Sequence, residues 1–162
     1  YRKSHNAPAK LSYLGHVLME HRTGLPVDVE VTEANGFAER EAALTMLDRL
    51  PKRTRRTLAA DKAYDTAALR ARRVTPHVAS NDGRIGGSAL DRRTTRHAGY
   101  RASQRLRKRV EEIFGWGKDG RPMRKMKVRS LAKVSFVASL TVGCYALLRV
   151  ARLTAPPLLV YT

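Results

Sequence analysis

Between Lys133 and Arg149 the chain runs for 15 residues without a charged side chain. No other feature limits the fold so strongly. A membrane span needs about 20 such residues, so the stretch reads as a buried helix, covering roughly 129–152 and apolar on most sides. The rest of the chain must supply the surfaces that cover it. Hydrophobic residues are 43% of 162, enough for a core in a chain of about one domain.

The residues upstream alternate between strand and helix patterns. Residues 11–20 (LSYLGHVLME) and 26–32 (PVDVEVT) are apolar and β-branched, with a tight break at His21–Leu25 between them. This predicts an antiparallel hairpin. Along 26–32, Asp28 and Glu30 fall on one face and Val27, Val29 and Val31 on the other, so the two acids are expected to face solvent. Asn35-Gly36 signals a turn. Residues 38–50 form a helix with Ala43, Leu44, Met46, Leu47 and Leu50 on one face, ended by Pro51. A short strand comes next at 56–60 (RTLAA), then Asp61, then a two-turn helix at 66–73 capped by Asp65. Residues 74–79 form a strand that Pro76 assigns to an edge. Residues 79–98 hold three glycines and no hydrophobic period and read as a basic loop. A long helix covers 101–118, Pro122 interrupts the segment between it and the final helix, and 154–162 is a non-helical tail. Strands, then strand–helix alternation, then two long helices make an α/β domain with a mixed sheet. Only four strands are visible, so that sheet looks incomplete.

Charge separates the two halves. The chain carries 32 Lys and Arg against 14 Asp and Glu, a net charge of +18. Residues 1–81 contribute +5 and residues 82–162 contribute +13. Such a field attracts polyanions, and the densest runs, 101–109 (RASQRLRKR) and 121–133 (RPMRKMKVRSLAK), point to nucleic acid. A solvated basic face is the plain alternative. An anionic membrane is disfavoured because the runs lack an adjacent Trp or Phe insertion face. A single cysteine, Cys144, excludes an internal disulfide and a cysteine zinc site, and fits a reducing interior.

Two acids stand out. Asp61 ends a strand, and carboxyl ends of strands are where sites collect in open α/β sheets. From position alone, a helix-starting or salt-bridged aspartate is the simpler reading. On 101–118, Leu106, Val110, Ile113, Phe114 and Gly117 make an apolar stripe, and Arg107, Glu111 and Lys118 share a neighbouring one. An i,i+4 ion pair worth about 0.2–0.5 kcal/mol would account for one of these pairs. It does not account for an acid placed within a strongly basic helix beside the core.

The segment 104–118, QRLRKRVEEIFGWGK, closely resembles the last catalytic segment of bacterial insertion-sequence DDE transposases. That signature is Tyr, two residues, Arg, three residues, Glu, six residues, Lys. Arg107, Glu111 and Lys118 match it in spacing, and Gln104 stands at the Tyr position. Residues 11–32, 39–44 (EREAAL), 58–65 (LAADKAYD) and 92–100 (RRTTRHAGY) look like the same group. The resemblance spans about 1–153, read as a partial catalytic domain. It implies a ribonuclease-H-like mixed sheet flanked by helices, with Asp61 and Glu111 as catalytic and metal-binding acids. It implies a two-metal Mg²⁺ or Mn²⁺ site, which suits hard carboxylate oxygens. It also implies DNA transposition by phosphodiester cleavage and strand transfer on double-stranded DNA, a homo-oligomeric complete enzyme, and a bacterial cytoplasmic, nucleoid-associated setting. Arg105, Arg107, Lys108, Arg109 and Lys118 would contact phosphates.

The family's first aspartate lies on a strand ahead of the hairpin, and the chain opens at Tyr1 rather than Met. The expectation is a truncated copy lacking its first strand and first acid, inactive alone. Two other roles stand beside it: a non-catalytic basic DNA-binding module, and a regulator of a full-length transposase.

Overall fold

The structure is a computed structural model that describes residues 6, 8, 10–51, 55–64, 67–80, 83, 85, 87, 88 and 90–155. Asp65 and the tail beyond Ala155 lie outside them.

Strands β1 (Tyr13–Glu20) and β2 (Leu25–Glu33) form the expected antiparallel hairpin, in register from Tyr13 opposite Glu33 to Glu20 opposite Leu25, with a bulge at Leu18/Met19. Gly24 closes the turn at φ +73°, a conformation glycine adopts without strain. The Glu20 carboxylate fastens that turn, accepting from the amides of Arg22 (3.0 Å) and Thr23 (2.7 Å) and from the Thr23 hydroxyl (2.6 Å). Burial pushes this carboxyl up, but the bonds from the Thr23 hydroxyl and the Arg22 and Thr23 amides prevail and hold it at about 2. A depressed folded value means that the stabilisation is complete above the ordinary 4.5 and is lost as pH falls towards 2. Thermal melts should therefore drop through that window in the native chain and stay flatter in Glu20→Gln.

Helix α1 (Ala38–Arg49) opens after Asn35, whose side chain accepts from the amides of Phe37 and Ala38, so the Asn35-Gly36 signal is a helix entry as well as a turn. Glu39 and Glu41 sit in its first turn, where the helix dipole favours negative charge. The helix covers the hairpin face that carries His16, Leu18, Asp28 and Glu30. Arg49 pairs with both Asp28 (3.2 Å) and Glu30. These acids therefore face α1 rather than solvent, because strand alternation reports two faces and not which of them a later helix covers.

Strands β3 (Arg56–Ala60) and β4 (Val74–Val78) are joined by α2 (Ala67–Ala71) and pair in parallel, Leu58 opposite Pro76. β4 is an edge strand, as Pro76 requires. Leu47, Leu69 and Val74 form a core with Leu18, Leu44, Leu50, Leu58 and Tyr64, tying both strand pairs to α1. The four strands do not form one mixed sheet. They make two separate two-stranded sheets, β1-β2 and β3-β4, and the hairpin has no ladder to β3.

Two helical expectations change. Within 79–98, residues Arg92–Arg96 form a short helix, α3, because Asp91 caps it by accepting from the Arg93 amide at 2.9 Å. The long helix expected at 101–118 is two: α4 (Ala98–Leu106), capped by His97, and α5 (Arg109–Lys118). Arg107 and Lys108 keep helical dihedrals, but the next bonds tighten to i−3, from the Val110 amide to Arg107 and from the Glu111 amide to Lys108.

The final helix, α6 (Leu131–Thr154), starts at Ser130 and buries Val134, Ala138, Thr141, Val142 and Tyr145, one row at helical spacing. These pack on the hairpin's other face through Tyr13, Val17, Met19, Val29 and Val31, and Arg149 donates to the Thr23 carbonyl at 2.5 Å. The helix is longer than its uncharged stretch and less buried than expected: Phe136, Leu140 and Leu147 are 68%, 59% and 72% exposed. Its length and mean hydropathy of 1.7 over 18 residues are enough for a membrane span, while its buried row is a packing surface for the hairpin.

Candidate active site

Asp61 comes directly after β3 and begins a 3-10 turn, Lys62–Tyr64. The Tyr64 hydroxyl reaches back to the Glu39 carbonyl at 3.2 Å, fixing this strand end against the start of α1. Burial, with Glu39 nearby, pushes the Tyr64 phenol up to about 12, so it stays a hydrogen-bond donor at any ordinary pH.

α4 approaches the same place along β4. Gln104 donates to the His77 carbonyl, the Tyr100 hydroxyl donates to the Val78 carbonyl at 2.7 Å, and His77 Nδ1 shares a 2.8 Å hydrogen bond with Ser103 Oγ. His77 and Ser103 are buried. The residue at the motif's Tyr position thus works as a latch between helix and strand. Burial, reinforced by the charges of His97 and His21, holds His77 below its ordinary 6.5. A lowered histidine gives stability that is full above 6.5 and lost as pH falls below it, because the unfolded chain then binds the proton more readily. Urea denaturation should show the native chain weakening below that value, and His77→Gln should weaken less steeply there.

The latch sets where α5 begins. Arg107 Nη1 pairs with Asp61 Oδ1, so the strand end and the start of the motif helix meet through an ion pair. Asp61 remains 71% exposed while Arg107 is half-buried. A pair this open contributes about 0–1 kcal/mol; its effect is to place a cation on the acid. Glu111 lies in the first turn of α5 and is exposed. Asp61, Arg107 and Glu111 all line one cleft of about 640 Å³, which also takes in β1 and α1. The geometry brings the two sequence-selected acids to the same cavity. Among the described residues, no group of three His, Cys, Asp or Glu side chains could hold a metal ion.

The basic residues divide. Arg105, Lys108 and Lys118 are all exposed to solvent. Arg109 donates to the carbonyls of His21 (2.6 Å) and Arg22 (2.7 Å), fastening α5 to the hairpin turn. That role was hidden in the sequence because Arg109 sits inside a basic run. Arg121 likewise stacks over Trp116 at 4.1 Å and donates to the carbonyls of Trp116 and Asp119.

A family model described as a transposase DDE domain matches residues 2–147, most of the chain. No curated protein and no solved structure matches it.

Proposed function

Since the chain belongs to the transposase DDE domain family, we propose that its cleft carries out the metal-dependent phosphodiester chemistry of DNA transposition, on double-stranded DNA bound by the basic face of α4 and α5. The observation that carries this reading is that Asp61 and Glu111 line one cleft, with Arg107 paired to Asp61. Both acids are solvent-accessible hard oxygen donors, the type that binds Mg²⁺ or Mn²⁺ through one or two carboxylates together with waters and substrate phosphates. When bound, such ions lower the pKa of a nucleophilic water and stabilise the leaving oxygen.

The chain's own residues would position the substrate. Arg107 keeps Asp61 charge-balanced before DNA arrives, and its guanidinium can pass from Asp61 to a phosphate. Arg105 and Lys108 lie beside that point, and Lys118 extends the basic edge to the far end of α5. The Gln104, Tyr100 and Ser103 contacts with β4 hold the motif helix at the strand end.

A second reading, a DNA-binding module or regulator of a full-length transposase without cleavage of its own, is favoured by one observation: among the described residues no group of three acidic, histidine or cysteine side chains is placed to hold a metal ion. Incubating the chain with supercoiled DNA separates the two. Nicking in Mg²⁺ or Mn²⁺ that stops with EDTA supports the catalytic reading. DNA binding without nicking in either metal selects the module.

A further inference from the structure

Helix α6 carries a second row of side chains, opposite the one that the hairpin covers. Phe136, Leu140, Gly143, Leu147, Val150 and Thr154 recur at alternating steps of four and three, and all are exposed. Steps that average 3.5 residues keep a single seam facing a partner helix along its whole length. The contacts of α6 with the hairpin, α5 and the Met123–Val128 segment run through its buried row. Phe136, Leu140 and Leu147 each keep more than half of their surface bare. No charged side chain interrupts the helix between Lys133 and Arg149. The seam offers on the order of 600 Å² per copy, where specific interfaces bury about 600–1,000 Å² on each side. A continuous apolar face of that size on a water-facing helix marks an interaction site.

Charge and shape select the occupant. DNA finds no cation along the seam, and an acidic helix finds nothing there to pair with. A second copy of the chain brings the same uncharged row, and one surface that meets itself closes into a two-fold pair. Two copies of net charge +18 repel, so they can meet only where charge is absent, and the seam is such a place. Antiparallel pairing about Tyr145 uses all six positions. It sets Phe136 opposite Thr154, Leu140 opposite Val150, and Gly143 opposite Leu147 of the second copy, large against small at two of the three rungs. A Cβ at Gly143 would have nothing within 4 Å of it, which leaves a hole for that leucine. The same pairing brings exposed Lys133 to the C-terminal end of the other α6, where the helix dipole favours a cation. A parallel pair would instead set Lys133 beside Lys133.

We propose that the outer face of α6 is a self-association surface, on which two copies of this chain pair through antiparallel α6 helices with Leu147 of each seated at Gly143 of the other.

The test needs neither DNA nor metal, so its failure leaves the transposition reading standing, and failure of that reading leaves this one standing. Sedimentation equilibrium of the full chain should show a reversible dimer that tightens as salt is raised towards about 0.5 M, because screening weakens the repulsion between copies. DNA binding has the opposite salt dependence. Leu140→Glu and Leu147→Glu, both at exposed positions, should each weaken the dimer at least tenfold while the dilute protein melts as the native chain does. Gly143→Leu separates a fitted seam from general stickiness: it enlarges the apolar face but fills the hole, and should also weaken the dimer at least tenfold. Cys144, the chain's single cysteine, lies one residue from the two-fold axis, so a short bismaleimide should join two native copies. Ala151→Cys in a Cys144→Ser background should not cross-link, since antiparallel pairing holds the two thiols about 18 Å apart along the helix axis. The proposal is overturned if the chain stays monomeric at high salt, if the Glu variants dimerise like the native chain, if Gly143→Leu tightens the dimer, if the Ala151→Cys protein cross-links as readily as the native one, or if the face binds vesicles of anionic lipid as a monomer instead.

Discussion

Asp61→Asn and Glu111→Gln should each cut metal-dependent nicking of supercoiled DNA by about a thousandfold, the equivalent of about 4 kcal/mol of lost transition-state stabilisation. Each amide keeps the shape of the side chain and removes the charge that a divalent cation needs. DNA affinity should respond differently at the two positions. Asp61 balances Arg107, so Asp61→Asn releases a guanidinium to phosphate. Its binding should tighten and its log–log salt dependence steepen by about 0.9, one extra phosphate contact. Glu111 makes no ion pair among the described residues, and Glu111→Gln should leave the salt slope where it is. Nicking retained by either variant at the native rate removes that residue from the catalytic assignment. A slope unchanged in Asp61→Asn means that Arg107 does not reach phosphate.

The parts of this site that could be read from sequence are those fixed by local patterns. The hairpin is dictated by two β-branched runs around a break ending in Gly24, and β3 and β4 are marked by short apolar runs and by Pro76. The spacing of Arg107, Glu111 and Lys118 survives the division of the helix because the tightened turn at Arg107–Lys108 interrupts the bonding and not the helical course. The division itself was not legible, since nothing in RLRKR disfavours helix.

Partnerships between distant segments could not be read. Asp28 and Glu30 carry an outward-facing pattern, yet Arg49, some 20 residues later, turns their face into a covered one. The apolar character of α6 says that it packs somewhere. It does not say that the hairpin offers only enough surface for one row of its side chains, from Val134 to Tyr145. The separation of the sheets belongs here too. Each strand announces itself locally, while the choice of neighbours depends on which edges are brought together by α1.

The same distinction governs which arginines are free to meet DNA in the proposed reading. In sequence, Arg105, Arg107, Lys108 and Arg109 are one basic run; in the fold they hold three different positions. Arg105 and Lys108 are open to solvent, Arg107 is neutralised by Asp61, and Arg109 is spent on the His21 and Arg22 carbonyls. Replacing Arg105 and Lys108 together by Ala should therefore flatten the salt slope by about 1.8, two phosphates' worth, and weaken duplex binding about 60-fold at 0.1 M salt. Arg109→Ala should leave the slope nearly native and lower the melting temperature instead, because it unfastens α5 from the hairpin turn. Salt titrations of duplex binding by anisotropy, paired with thermal melts, measure both quantities on the same proteins. If Arg109→Ala flattens the slope as much as Arg105→Ala or Lys108→Ala does, its guanidinium leaves the turn to meet DNA, and the division of the run is wrong.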